Sequence, residues 1–185
     1  MKRFSIILLM SILLFGSGTS WADGLMINSY KYVSSGSGSV LLCGNNSVQT
    51  MDTQYAQDPG YVCGCRWTAV ATGTAAKGYC RLQGSSGSGN AKMIIANGTT
   101  GAIIAVSSAA AYTTSAALIE FTFSSGSIVS GTQYIIAYIA DGYTYATYTD
   151  NETGAWIYSS NNYTSPTTID IGTPETADME IYVKS

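Results

Sequence analysis

The fold is decided by residues 117–140, "ALIEFTFSSGSIVSGTQYIIAYIA", in which two apolar segments flank a turn rich in serine and glycine. Successive side chains of a β-strand point to opposite faces of its sheet. In the first segment, Ile119, Phe121 and Phe123 would therefore share a buried face, and Glu120 would face solvent. The second segment, residues 132–140, has the composition of a further strand. Both segments predict a β-protein.

Outward from this stretch, similar short segments recur along the chain, separated by Gly, Ser and Asn turns. They are "VLLC" at 40–43, "CRWTAVA" at 65–71, "YCRLQ" at 79–83, "AKMIIAN" at 91–97, "AIIAVSS" at 102–108, "YTYATYT" at 143–149, "AWIYSS" at 155–160 and "MEIYVKS" at 179–185. Residues 107–117 are as typical of a loop as of a helix. Short strands at intervals of about 8 to 12 residues predict an all-β fold, an antiparallel β-sandwich or barrel, and we expect the sandwich.

The N-terminus has the three-part layout of a secretory signal peptide. Lys2 and Arg3 precede an apolar run that is too short to span a bilayer, and small residues lead to a cleavage site after Ala22. We therefore predict a signal peptide at 1–22, an N-terminal strand and flexible segment at 23–60, and a sandwich domain at 61–185. The predicted location is secreted, extracellular or at the cell surface.

The net charge of the exported chain argues against some classes of binding partner. The sequence has 8 basic and 11 acidic residues, and removal of Lys2 and Arg3 leaves 6 − 11 = −5. An acidic chain with scattered basic residues lacks the footprint of a nucleic-acid-binding protein. No second long apolar segment predicts a membrane span. The expected partners are a glycan, another cell-surface component, or copies of the chain itself.

The four cysteines predict two disulfide bonds. Cys43, Cys63, Cys65 and Cys80 lack the paired spacing of a zinc site, and the single glycine of "CGC" is one residue short of the usual redox pair. Exported proteins more often form disulfides. Cys63 and Cys65 are poor partners for each other, which leaves Cys43 bonded to one of them and Cys80 to the other. A metal site and free thiols are the alternatives.

Catalysis is not indicated by the sequence. The chain contains no histidine, so Ser-His-Asp and Cys-His arrangements are excluded. Eleven acidic residues remain, but no spacing singles out a pair of the kind that a glycosidase needs. We expect a protein that is not an enzyme and has no catalytic residues.

A binding site is the better candidate, because residues 141–158 interleave aromatic and short polar side chains. Sugar rings stack on exposed aromatic rings, and their hydroxyls hydrogen-bond to Asn and Asp. The predicted ligand-binding residues are Tyr143, Tyr145, Tyr148, Asn151, Trp156 and Tyr163. The alternative is that these aromatics stabilise the sheet as cross-strand pairs. We expect no cofactor and no metal; "TDNETG" at 149–154 offers oxygen ligands for calcium without EF-hand spacing.

One resemblance agrees with this fold. The run from "CRWTAVATGTAAKGYCRLQ" through "GSGNAKMIIANGTTGAIIAVSS" to "LIEFTFSSGSIVSGTQYIIAYIADG" resembles secreted jelly-roll modules of bacterial exoenzymes, surface proteins and phage tail proteins. These modules are broadly similar to carbohydrate-binding modules, and the likeness covers about residues 65–140. It implies a jelly-roll sandwich and a role in adhesion or glycan contact.

Two functions follow from these observations. The first is a secreted, non-catalytic β-sandwich module that contacts a surface or a glycan. The alternative is a structural subunit of an extracellular fibre, pilus-like filament or coat. Such subunits assemble by strand exchange, and residues 23–40, "DGLMINSYKYVSSGSGSV", would be the donor.

Overall fold

The computed structural model describes residues 39–47, 53–149, 155–172, 175–176 and 178–185. The predicted signal peptide lies outside them, as does nearly all of the predicted donor segment. The strands are β1 (Leu41–Asn45), β2 (Thr53–Gln57), β3 (Tyr61–Thr68), β4 (Gly73–Thr74), β5 (Lys77–Gly84), β6 (Gly89–Asn97), β7 (Ile103–Val106), β8 (Ala110–Tyr112), β9 (Ala117–Thr122), β10 (Ser127–Ile128), β11 (Gln133–Ala140), β12 (Thr144–Thr149), β13 (Ala155–Ser160), β14 (Glu175–Thr176), β15 (Asp178–Met179) and β16 (Ile181–Lys184).

The strands form two seven-stranded antiparallel sheets. The first sheet has the order β1-β16-β5-β12-β15, with β2 beside β12 and β9 beside β5. The second has the order β14-β13-β3-β11-β6-β7, with β8 beside β6, and a small ribbon joins β4 to β10. The all-β fold is therefore confirmed. None of the described residues forms a helix long and apolar enough to cross a membrane.

The core lies between the two sheets, which identifies the fold as a sandwich. Cys63, Ile136 and Tyr138 from the second sheet and Leu82 and Phe121 from the first are all buried in one cluster. The predicted alternation in β9 is confirmed. Phe121 and Phe123 are buried and Ile119 packs against the same cluster, whereas Glu120 is exposed.

A second apolar cluster lies on the outer face of the second sheet. Val62, Ile94, Ile135 and other residues of this face are buried beneath residues 161–172, which we call the strap. The strap contributes the buried side chain of Ile169, whose backbone N–H donates to the Gly101 carbonyl at 2.9 Å. Strands β6 and β11 are therefore covered on both faces, which explains their nearly continuous apolar sequence.

The cysteine prediction requires a correction, because all four cysteines are buried free thiols and form no disulfide. Three of the sulfurs make other contacts. Cys43 Sγ lies 3.7 Å from the Trp67 carbonyl, Cys63 Sγ lies 3.9 Å from Met179 Sδ, and Cys80 Sγ lies 3.9 Å from the Arg81 carbonyl. Buried thiols of this kind pack as small apolar side chains.

Burial also governs the chemistry of these thiols. It raises the pKa of Cys43 to about 12 and raises the pKa of Cys63 and Cys80 well above the ordinary value. Cys65 contributes a further upward shift to the pKa of both Cys63 and Cys80, because a second thiolate nearby would repel the first. The nucleophilic thiolate form is therefore suppressed at neutral pH.

Candidate ligand-binding face

The outer face of the first sheet brings partly buried tyrosines and charged side chains together around one strand, β5. Along β5, Gly78, Cys80 and Leu82 are buried, so the intervening side chains point outward. Cross-strand register adds neighbours from β9, β12 and β16. We call this surface the tyrosine face: Lys77, Tyr79, Arg81, Gln83, Glu120, Tyr145, Glu180, Tyr182 and Lys184.

Two stacked tyrosines form the centre of the tyrosine face. Tyr79 on β5 and Tyr182 on β16 are direct cross-strand partners, and their ring centroids lie 5.0 Å apart at an interplanar angle of 22°. Tyr182 is only 7% exposed, whereas Tyr79 is half-buried. Tyr79 is therefore the ring of this pair that a ligand can reach. A flat aromatic surface of this kind suits the apolar face of a ring-shaped ligand.

Glu120 fixes the polar end of Tyr79. Its carboxylate accepts a hydrogen bond from Lys77 Nζ at 2.6 Å and from the Tyr79 hydroxyl at 3.0 Å. Donation by Lys77 first, and by Tyr79 second, lowers the pKa of Glu120. Burial, followed by the hydrogen bond and the charge of Glu120, raises the pKa of Tyr79. The Tyr79 hydroxyl therefore remains protonated and oriented at neutral pH.

A second ion pair lies where two strands diverge from β5. Residues Lys77–Cys80 pair with β16, and Leu82–Gly84 pair with β12. Between these stretches, Arg81 Nε donates to Glu180 Oε2 at 2.6 Å. The Glu180 side chain is 4% exposed and that of Arg81 is 24% exposed. A buried carboxylate of this kind needs its cation, because desolvation of an unpaired charge is costly.

The sequence-predicted binding residues are dispersed. Tyr145 lies on the tyrosine face, opposite Gln83 in the register of β12 and β5. Tyr143 is 53% exposed in the turn before β12, where its carbonyl accepts from the Ser85 N–H at 3.0 Å. The side chain of Tyr148 and the whole of Asn151 lie outside the described residues.

The other two predicted residues lie away from the tyrosine face. Trp156 is 8% exposed and packs in the core between the sheets, so its ring is not presented to a ligand. Tyr163 belongs to the strap on the second sheet. Lys92 Nζ lies 4.6 Å from the centroid of its ring and donates to its carbonyl at 3.0 Å. These contacts give Tyr163 a structural explanation.

The two central tyrosines were missing from the sequence prediction. Tyr79 and Tyr182 lie in different predicted strands, at opposite ends of the domain sequence, and only the register of β5 with β16 brings them together. The available signal was the alternation in "KGYCRLQG" and in "EIYVK", which places each tyrosine among outward polar residues.

The described residues contain no group of three or more His, Cys, Asp or Glu side chains arranged to hold a metal ion. Of the calcium alternative "TDNETG", only the backbone of Thr149 falls within the described part of the chain. The tyrosine face consists of aromatic rings, hydroxyls and paired charges.

Comparison with known proteins returned no relative. No protein-family model, no curated protein and no solved structure matches the chain. The resemblance to jelly-roll carbohydrate-binding modules therefore stays a prediction.

Proposed function

We propose that this protein is an exported, non-catalytic β-sandwich module that binds a glycan through the tyrosine face. The jelly-roll architecture expected from the sequence is part of the same proposal. The observation that carries it is the stacked Tyr79–Tyr182 pair, with one reachable ring and a fixed hydroxyl, on the solvent side of a sheet.

The chemistry of the tyrosine face supports a sugar ligand. Sugar rings have apolar faces that stack on aromatic side chains, and they carry hydroxyls that both donate and accept hydrogen bonds. Tyr79 supplies the aromatic surface. The carboxylate of Glu120 supplies polar atoms directly across from Tyr79 on β9. The amide of Gln83, which donates to the Thr114 carbonyl at 2.9 Å, lies four residues further along β5. Few but well-placed polar groups around an apolar surface are typical of small-molecule sites.

The charged groups on the tyrosine face support binding over catalysis. Glu120 is engaged by Lys77 and Tyr79, and Glu180 is engaged by Arg81. Each carboxylate therefore already has a cation as its partner. Glycoside hydrolysis instead requires two carboxyl groups facing each other across the scissile bond, one of them protonated. The sequence also provides no histidine.

The test is a glycan array probed with the wild-type protein, its four thiols kept reduced, and with the Tyr79→Ala variant. Loss of one stacking ring should weaken the binding of the best glycan by on the order of tenfold or more. The matched control is Tyr158→Ala, because Tyr158 stacks on Tyr61 at 4.7 Å in the second sheet. Equal binding by wild type and Tyr79→Ala, or an array without any bound glycan, would refute the proposal.

A further inference from the structure

The charges on the tyrosine face do not balance, and the imbalance resides at one side chain. The face has three cations, Lys77, Arg81 and Lys184, and two carboxylates, Glu120 and Glu180. Lys77 and Arg81 each pair with a carboxylate at 2.6 Å. Lys184 forms no ion pair with any carboxylate of the described residues, so the face has an excess of one positive charge (3 − 2 = +1).

Lys184 is also held beside the aromatic pair. Its Nζ lies 5.7 Å from the ring centroid of Tyr79 and 5.4 Å from that of Tyr182. The ammonium group is thus within cation–π range of both rings, and it has three donors, which rings satisfy only in part. A ligand ring stacked on Tyr79 would therefore present its substituents to a nearby cation.

We infer that the tyrosine face selects acidic saccharides, in which Lys184 binds the carboxylate of a uronic-acid-type sugar whose ring lies against Tyr79. This inference rests on the proposed function and adds the class of ligand. A charge-assisted hydrogen bond between ammonium and carboxylate is roughly twice as strong as a neutral one. The neutral form of the same sugar lacks that bond.

The acidic character of the whole chain does not oppose this local selectivity. The full sequence has a net charge of −3. At physiological ionic strength, however, the Debye length is about 8 Å, so distant exposed carboxylates are largely screened. The cation that directly contacts the ligand then decides the preference. Because Lys184 is only partly buried, screening also acts on it, and the preference should weaken as salt is added.

The experiment compares acidic oligosaccharides with their neutral counterparts. Oligogalacturonate and its methyl ester are the main pair, since esterification removes the charge of the carboxyl group and adds only a methyl group. Sialyllactose with lactose, and a heparin oligosaccharide with its desulfated, carboxyl-reduced form, extend the comparison. Binding is measured by calorimetry at low and at high salt for wild type, Lys184→Met and Lys92→Met.

Methionine keeps the length of the apolar stem and removes the charge. Lys92→Met is the matched control, because Lys92 also lies over a tyrosine ring, that of Tyr163, but on the second sheet. Thermal unfolding of each variant checks that it folds.

We expect wild type to bind an acidic member at least about tenfold more tightly than its neutral counterpart. Lys184→Met should lose that difference, and Lys92→Met should keep it. Equal affinity for both members in wild type, or a preference that persists in Lys184→Met, would overturn the inference and leave the proposed function intact. If wild type preferred only the sulfated heparin oligosaccharide over its neutral counterpart, that result would contradict carboxylate binding. Failure of every saccharide, acidic and neutral, would refute the proposed function itself.

Discussion

Glu120 and Tyr79 are direct cross-strand partners on β9 and β5, and the Glu120 carboxylate accepts the Tyr79 hydroxyl at 3.0 Å. The same carboxylate accepts from Lys77 at 2.6 Å. The Tyr79 hydroxyl is thus held by a carboxylate that is itself held by Lys77. A binding group held in this way loses less conformational entropy on binding.

This relationship predicts a change in the titration of Tyr79. In Glu120→Gln, the pKa of Tyr79 should fall, because the carboxylate that raises it by hydrogen bonding and by charge is gone. The burial contribution would remain, so the pKa should stay above the ordinary value. The tyrosine ring carbons, followed by NMR across alkaline pH, report this pKa directly.

Thr122→Val is the control for that measurement, because the Thr122 hydroxyl accepts from Lys77 Nζ at 3.2 Å without contacting Tyr79. It should leave the pKa of Tyr79 nearly unchanged. An unchanged pKa in Glu120→Gln would show that the Glu120–Tyr79 hydrogen bond is absent in solution.

The free thiols predict low reactivity in the folded protein. At pH 8, a thiol reagent should label the native chain slowly and label about four thiols per chain once the protein is unfolded without reductant. The reason is that Cys43, Cys63 and Cys80 are buried and their pKa values are raised. If the purified protein contained disulfides, only two or zero thiols per unfolded chain would be labelled, and this result would contradict the structure.

The same pKa shifts predict a loss of stability in alkali. An unfolded cysteine has a pKa of about 8.5. Above this pH the unfolded chain therefore releases thiol protons that the native chain still holds. The native state then binds more protons, and the free energy of unfolding falls as pH rises, with the loss continuing up to the raised native pKa values. Urea unfolding from pH 7 to 10 measures the slope. A stability that rises over this range would contradict the buried-thiol assignment.

The ion pair between Arg81 and Glu180 predicts a large mutational cost. Arg81→Met should lower the free energy of unfolding by on the order of 3 kcal/mol, because it leaves the nearly buried Glu180 carboxylate without its cation. Chemical denaturation measures the change. Lys77→Met is the matched control, since its pair with Glu120 is exposed on both sides and should matter far less. Similar costs for the two variants would contradict the difference in burial.

Gly64, between the two cysteines, predicts a steric limit on β3. A Cβ at this position would collide with the Ile136 carbonyl and with the backbone of Ala137 on β11. Gly64→Ala should therefore destabilise the fold by roughly 1 to 3 kcal/mol, as overpacking does. Gly87→Ala is the control, because an added Cβ there meets no atom within 4 Å. Chemical denaturation measures both variants. Equal unfolding midpoints for Gly64→Ala and Gly87→Ala would show that β3 and β11 do not approach so closely.

Much of the strand framework was predictable because alternation and turn residues are local signals. The segments "YCRLQ" and "ALIEFTF" coincide with β5 and β9, and Glu120 lies outward as predicted. Strand β8 was missed in a segment assigned to loop or helix. Its three residues are defined by pairing with β6, a contact that its own sequence does not indicate.

The site was less predictable because it depends on register between distant strands. The aromatic composition of residues 141–158 drew attention to Tyr145, which the structure places on the tyrosine face, but it could not show which face of β13 is buried. Trp156 and Ile157 are both apolar, and packing placed the tryptophan in the core between the sheets and Ile157 beneath the strap. The strap itself has few apolar residues and therefore resembled a surface loop.

The central claim is that Tyr79 presents a glycan-binding ring, and the most direct measurement is the affinity of the best array glycan for three proteins. Calorimetry on wild type, Tyr79→Ala and Tyr158→Ala compares the more exposed tyrosine of each stacked pair. We predict that Tyr79→Ala weakens binding by on the order of tenfold or more while Tyr158→Ala matches wild type. Undiminished binding by Tyr79→Ala would contradict the account.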